Sequence, residues 1–133
     1  MASNLKFSTT VRNTLANAMG ALWAGGTLTV YDSAPPANPQ TTYTGNALVT
    51  ITLPTPAFGA AVVGVISKSG VWSAVVSISG TAAGFRMTSS DSTQIIDGTA
   101  GIAGDTPDLV FDNKVLVAGG TVSDSTFSFT QPE

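Results

Sequence analysis

The chain has 133 residues, a formal charge of −3, 43% hydrophobic and only 10% charged residues, and neither Cys nor His. That size is one domain with room for a core. The missing residues exclude zinc sites, His-ligated haem, Cys nucleophiles and His-based triads unless a partner chain supplies the group, so no metal or cofactor is expected.

The five cations are scattered, which leaves no electrostatic footprint for nucleic acid. Charged content lies far below the usual quarter. Such a surface is poorly solvated by charge, which favours an assembly component over a free monomer. Without disulfides, stability must come from packing or assembly.

Taken in order, residues 1–8 read as an N-terminal arm, with no apolar stretch of the kind a signal peptide carries. Ser8, Thr9 and Thr10 offer N-caps for a helix over 9–24, which Gly25-Gly26 stops. Val11, Leu15, Ala18 and Leu22 form one apolar stripe at helical spacing, expected to cover the sheet, with docking on a neighbouring subunit as the second reading. Thr27 to Asp32 alternates as a strand. Pro35, Pro36 and Pro39 then impose a stiff extended loop to about Asn46. That loop is a rigid connector or a contact arm. Tyr31, Asp32, Pro35, Pro36 and Tyr43 are its candidate contact residues, because both tyrosines look exposed.

Ala47 to Leu53 alternates with Val49, Ile51 and Leu53 inward and Leu48 outward. Ala57 to Ile66 is apolar throughout, as in a strand covered on both faces. Its ten residues fall short of the about 20 that a membrane helix needs, so no membrane span is expected. Val71 to Ser79 is the cleanest strand, with Trp72, Ala74, Val76 and Ile78 on one face. Phe85 and Met87 mark the next, with Arg86 outward. A turn over Ser89 to Ser92 leads into Gln94 to Asp97. A loop follows from Gly98 to Asp108, then short strands at Leu109–Phe111 and Val115–Val117. The last strand runs from Thr121 to Thr130, with a bulge or bend near Ser125 where the register of Val122 and Phe127 breaks. The pattern predicts a mainly β fold: one domain, an antiparallel β-sandwich of about eight strands with one N-terminal amphipathic helix.

No catalytic constellation is visible. The serines have no base, and neither a G-x-S-x-G elbow nor a usable S-x-x-K is present. Lys68 and Lys114 could serve as a base only in principle. Asp105, Asp108 and Asp112 cluster, and Asp91 and Asp97 flank a hairpin. Turn aspartates bond their own backbone, and this reading is preferred to calcium or two-carboxylate chemistry, since EF-hand spacing is absent. Gly98, Gly101 and Gly104 lack the Lys and the following helix of a phosphate loop. The chain therefore reads as a non-enzyme.

Three segments carry a family resemblance: Gly26-Thr27-Leu28-Thr29-Val30-Tyr31-Asp32 with Pro35-Pro36; Thr44-Gly45 with Ala47 to Leu53; and Ala57-Phe58-Gly59-Ala60. Phe85-Arg86-Met87 and Asp97-Gly98-Thr99-Ala100-Gly101 follow in order. With the helix before them, these motifs resemble small structural proteins of tailed bacteriophage virions. The resemblance implies a structural virion protein, made in the bacterial host cytoplasm and resident in the virion, with no catalytic residues to carry over. Low charge, small β-forming residues and an N-terminal arm point to a capsid decoration or cement protein. Its partners would be other virion proteins, the major capsid protein first, and further copies of itself in a homo-oligomer. Alternatives are a neck, tail or fibre-attachment protein, and a carbohydrate-binding module for host glycans that uses Tyr31, Tyr43 or Trp72. The apolar Ala60–Ile66 departs from the smaller, more polar residues expected there and reads as an additional subunit contact.

Overall fold

The computed structural model describes residues 4–124 and 126–132, with the side chain of Asp124 set aside. The first residues of the arm and the expected bend at Ser125 lie outside them. Asn4 to Ser8 is exposed and without regular structure. The chain is mainly β and sandwich-like, with a helix in front.

The alternating segment Thr27–Tyr31 (β1) is an inner strand of the larger sheet. It pairs antiparallel with Ala47–Thr52 (β2) on one side and Gly84–Thr88 (β6) on the other. Ile95–Gly101 (β7) and Leu109–Val110 (β8) complete the order β2-β1-β6-β7-β8. The β7–β8 pair is parallel. Leu28 and Val30 point into the core, while Thr29 and Thr50 share a cross-strand hydroxyl contact of 3.3 Å. This is the two-residue period of a sheet with one dry face.

Three two-stranded ladders pack over that sheet. Val65–Ser67 (β3) pairs with Ser128–Thr130 (β11), and Trp72–Val75 (β4) pairs with Thr121–Asp124 (β10). Gly80–Thr81 (β5) pairs with Val115–Leu116 (β9). The final segment changes partner between Asp124 and Ser128. A single apolar cluster runs between the layers, from Trp23 and Leu28 through Phe58, Trp72 and Phe85 to Phe127.

Leu48, expected outward, is fully buried together with Val49. The cause is the chain just beyond β4: the amides of Ser77 and Ile78 both donate to the Leu48 carbonyl, at 2.8 and 3.2 Å, and cover the outer side of β2. The same bend turns Ile78 out of the face that Trp72 and Val76 keep.

The helix (α1) spans Thr9–Ala21 rather than reaching residue 24. Ser8 is its N-cap, with its hydroxyl accepting from the Val11 amide. Its orientation is the main correction to the sequence reading. Val11, Leu15 and Leu22 are 43%, 41% and 41% exposed, and Ala18 is exposed as well. The inward face is instead Arg12, Ala16 and Gly20, followed by Trp23. Small residues explain this. A Cβ on Gly20 would sit 3.0 Å from the Ile66 side chain, so the missing atom sets the helix close against β3. Polar groups fix the rotation. Asn13 and Asn17 accept from the amides of Gly64 and Ala61, both at 2.7 Å, and the Arg12 Nε donates to the Gln131 carbonyl at 3.1 Å. Satisfying those groups outweighs burying the leucine stripe.

The apolar run from Ala57 to Ile66 is not a buried strand. Val62 and Val65 exchange backbone hydrogen bonds of 2.9 Å across a tight turn, with Val63 and Gly64 at φ 51° and 76°. Both central residues thus take the left-handed conformation of a type I′ hairpin turn. Gly64 also lies against the Arg12 guanidinium, where a Cβ would approach Nε to 2.9 Å. The tip leaves Val62 and Val63 69% and 57% exposed.

The strand expected to stop at Asp97 continues to Gly101. Gly98, Thr99 and Ala100 are held by β6 or β8, with Phe85 opposite Gly98 and Leu109 opposite Ala100. The β6–β7 hairpin closes through Asp91. Its carboxylate accepts from the hydroxyls of Ser89 and Thr93, at 2.6 and 2.8 Å, and from the Thr93 amide at 3.1 Å. The Ser89 bond leads these in lowering the Asp91 pKa from 3.8 to about 2. A carboxylate with a depressed folded-state pKa stabilises the fold above its unfolded value. The support is lost as pH falls through the folded one. An NMR titration is therefore expected to place the Asp91 midpoint near 2, with turn amides 89–94 losing protection only between about pH 4 and 2. Asp91→Asn is expected to abolish that pH dependence. A midpoint at the ordinary value would show that the turn does not hold the carboxylate.

Candidate interaction surface

The loop from Asp32 to Asn46 is built as a braced platform. At its base the Asp32 amide donates to the Asn46 carbonyl at 3.2 Å, and the Asp32 carboxylate accepts from the Asn46 amide at 2.7 Å and from its Nδ2 at 3.3 Å. The Ser33 hydroxyl accepts from the Gly45 amide at 3.0 Å. Gly45 has no room for a side chain, since a Cβ would fall 2.2 Å from the Asp32 carboxylate. The two strands of the loop therefore close like a clasp.

Inside the clasp the two tyrosines meet. Their rings stack with centroids 3.9 Å apart and planes within 9°. Tyr43 is 6% exposed and donates from its hydroxyl to the Phe85 carbonyl at 2.7 Å. Burial, then the nearby Asp97 charge, raises the Tyr43 pKa and keeps the phenol neutral.

Arg86 ties the loop to the sheet. Its Nε and Nη2 donate to the two carboxylate oxygens of Asp97 at 2.7 and 2.8 Å, a bidentate pair across β6 and β7. Nη2 also donates to the Thr41 carbonyl at 2.7 Å, and the guanidinium lies 5.2 Å from the centre of the Tyr43 ring. The side chains of Arg86 and Asp97 are only 15% and 5% exposed. The Asp97 hydrogen bond leads in raising the Arg86 pKa. The arrangement is a fixed fork holding three elements.

Two sequence expectations change here. Tyr31 and Tyr43 are brought together, but as internal braces. Tyr43 is buried, Tyr31 is half-covered by it, and Trp72 is fully buried. The three rings do not form an open platform for a sugar. Asp32 is exposed but engaged with Asn46, and Pro35 and Pro36 are half-buried. What the loop presents is its uncharged crest, Ala37 to Thr42. The crest is itself fastened: the Asn38 carbonyl accepts from the Thr41 amide and its Oδ1 from the Gln40 amide.

The Arg86–Asp97 pair is the brace of this surface that sequence reasoning missed, having placed Arg86 outward and read Asp97 as a turn aspartate. A signal existed. The two lie equally far from the turn at Asp91-Ser92, so a hairpin closing there sets them opposite each other.

Lys68, Lys114, Asp105 and Asp108 have local partners. Lys114 pairs with Asp105 at 2.7 Å, and the Lys114 hydrogen bond leads in lowering the Asp105 pKa. Lys68 donates to the Gly70 carbonyl at 2.9 Å and lies 5.7 Å from the Trp72 ring. The Asp108 carboxylate accepts from the amide and hydroxyl of Thr99 at 2.9 and 3.0 Å. Among the described residues no three acidic side chains converge as metal ligands, and no helix is long and apolar enough to cross a membrane. A groove of about 370 Å³ lies between Asp112–Val117 and Thr121–Ser123, floored by Val76, Leu116 and Val122. Among the described residues of its lining, Asp112 is the single titratable one. What these sites can do is present shaped, mostly uncharged surface.

Comparison with protein-family models, with characterised proteins and with solved structures gives no match.

Proposed function

We propose that the chain is a non-enzymatic structural component of a bacteriophage virion, and that it binds the head as a decoration protein. The observation that carries this reading is the distribution of open apolar side chains on a charge-poor body. They occur at separate places: the outer face of α1, the hairpin tip at Val62 and Val63, Val71 and Val75 around β4, and Val115 and Val117 around β9. Single exposed apolar residues are ordinary, but several distinct groups on a surface with so few charges suit a body covered on more than one side. The motif resemblance to tailed-phage virion proteins adds the kind of assembly.

A cement protein works by area. Each Å² of apolar surface withdrawn from water contributes about 25 cal/mol, and a body that bridges neighbouring capsid subunits resists their separation. The braced loop suits this role, because a platform with little freedom to lose adds its contacts at low entropic cost. The major capsid protein is the partner in this reading.

Densitometry of purified particles is expected to find the chain in copies that scale with the capsid lattice. Heads lacking it are expected to release their contents at lower temperature or milder osmotic shock. The copies of a single ring would move the protein to the neck or tail. Absence from particles would overturn the virion reading altogether.

A further inference from the structure

We infer that the outer face of α1 is a self-association surface, on which Val11, Leu15, Ala18 and Leu22 of one copy pack antiparallel against the same residues of a second copy. The stripe is apolar and at hand: three of its members are more than two-fifths exposed, although their spacing is that of a face built to be buried. The fold does not bury them, because Arg12, Ala16, Gly20 and Trp23 already form the inward side.

The pattern of the stripe identifies its partner. Its steps are 4, 3 and 4 residues, which is the alternation of a and d positions in a helix-to-helix seam. The sequence of steps is also the same read from either end. A two-fold axis crossing the helix between Leu15 and Ala18 therefore sets Val11 opposite Leu22 of the second copy, and Leu15 opposite Ala18. A large residue meets a small one at the centre, and the residue types match without any change in the chain. Isologous contact of this kind is what two-fold symmetry requires.

Charge agrees with the spacing. Arg12 is the single charged residue of α1, and its guanidinium is turned inward against Gly64. Nothing on the outer face repels a copy of itself. The helix has no acidic residue in its first turn and no basic residue in its last. Its dipole is left uncompensated by side chains, and an antiparallel neighbour brings opposite ends together.

Size sets the strength. The eleven rises from Val11 to Leu22 span about 16 Å at 1.5 Å each, so this seam alone is smaller than a standard stable interface. The association is therefore reversible and concentration-dependent. Phe7, also exposed, lies just ahead of the N-cap and can extend it. This inference stands apart from the virion reading, because it concerns the purified chain alone.

The absence of cysteine permits a clean test. Single-cysteine variants L15C and A18C, mixed and mildly oxidised, are expected to form a mixed disulfide, as are V11C with L22C. V11C alone, L22C alone and the off-seam variant S90C are expected not to cross-link. Light scattering is expected to show mass rising with concentration, and L15D to weaken association at least about tenfold by placing a charge in the seam. Near-UV circular dichroism checks that L15D keeps its fold; were it unfolded, the cross-linking pattern still decides. Efficient self-linking of V11C and of L22C would instead mean parallel helices and overturn the antiparallel seam. A monomer at every concentration, with no seam cross-link, would overturn self-association. A monomer that gains mass only with phage heads would assign the stripe to a capsid partner.

Discussion

Arg86→Ala is expected to destabilise the fold by about 3 kcal/mol, the lower end of what breaking a buried ion pair costs. The lower end applies because the arginine keeps a little solvent contact, whereas Asp97 keeps almost none. The substitution leaves the Asp97 carboxylate covered without its partner. It also removes the donor to the Thr41 carbonyl and the cation beside Tyr43. Two readouts are expected to move together. The urea midpoint falls, and amides of the loop from Ser33 to Gly45 exchange faster, because the tie between loop and sheet is gone. Arg86→Lys is expected to recover only part of the loss, since an ammonium cannot donate along both edges of the carboxylate. The double variant Arg86→Met with Asp97→Leu separates the terms. Without a stranded charge it should lie closer to the parent in stability, while the loop still loosens. An Arg86→Ala protein with unchanged loop exchange would show that Tyr43 and the Asp32–Asn46 clasp suffice.

Phe127→Ala is expected to be at least as damaging, at about 3–5 kcal/mol. Phe127 sits where the layers meet. Its ring lies 6.0 Å from Phe58, 5.7 Å from Trp72, 5.6 Å from Phe85 and 5.0 Å from Phe129, with the last two edge-on. Its carbonyl accepts from the Lys68 amide, and the neighbouring Thr126 bridges to Val110. Truncation therefore opens a cavity among four rings at the point where the last segment joins both layers. Against a typical total of about 5–15 kcal/mol for a domain, the loss should lower the melting temperature by many degrees. Phe127→Leu fills most of the space and is expected to cost less than half as much. A change in Phe127→Ala no larger than the about 0.5 kcal/mol of an ordinary surface substitution would mean that the ring cluster is not the core.

The two residues differ in how legible they are. Phe127 and Phe129 announce themselves by alternation in a chain with few aromatics. Arg86 sits between two buried apolar residues and reads as a solvent-facing position. Only pairing opposite Asp97, under the folded-back loop, makes it a covered hub. Tyr43 shows the same limit. Beside prolines and polar residues it looks exposed, and it is buried because the loop returns across β6 and offers the Phe85 carbonyl to its hydroxyl.

Local patterns by themselves determined the mainly β class, the helix start at residue 9, a strand beginning at Thr27, the proline-stiffened loop after it and most of the apolar core. Each depends on periodicity, capping or ring constraint, which act over a few residues. Tertiary contacts decided which face of the helix turned inward, that Ala57–Ile66 folds into a hairpin tip, and that Gly98–Gly101 extends a strand. The physical reason is common to all three: backbone groups far apart in the chain had to find partners. Backbone amides at Ala61 and Gly64 needed acceptors, and Asn13 and Asn17 supplied them, so the helix rotated toward the hairpin and left its leucines outside. Hydrophobic spacing states that a face should be buried; it does not state by what.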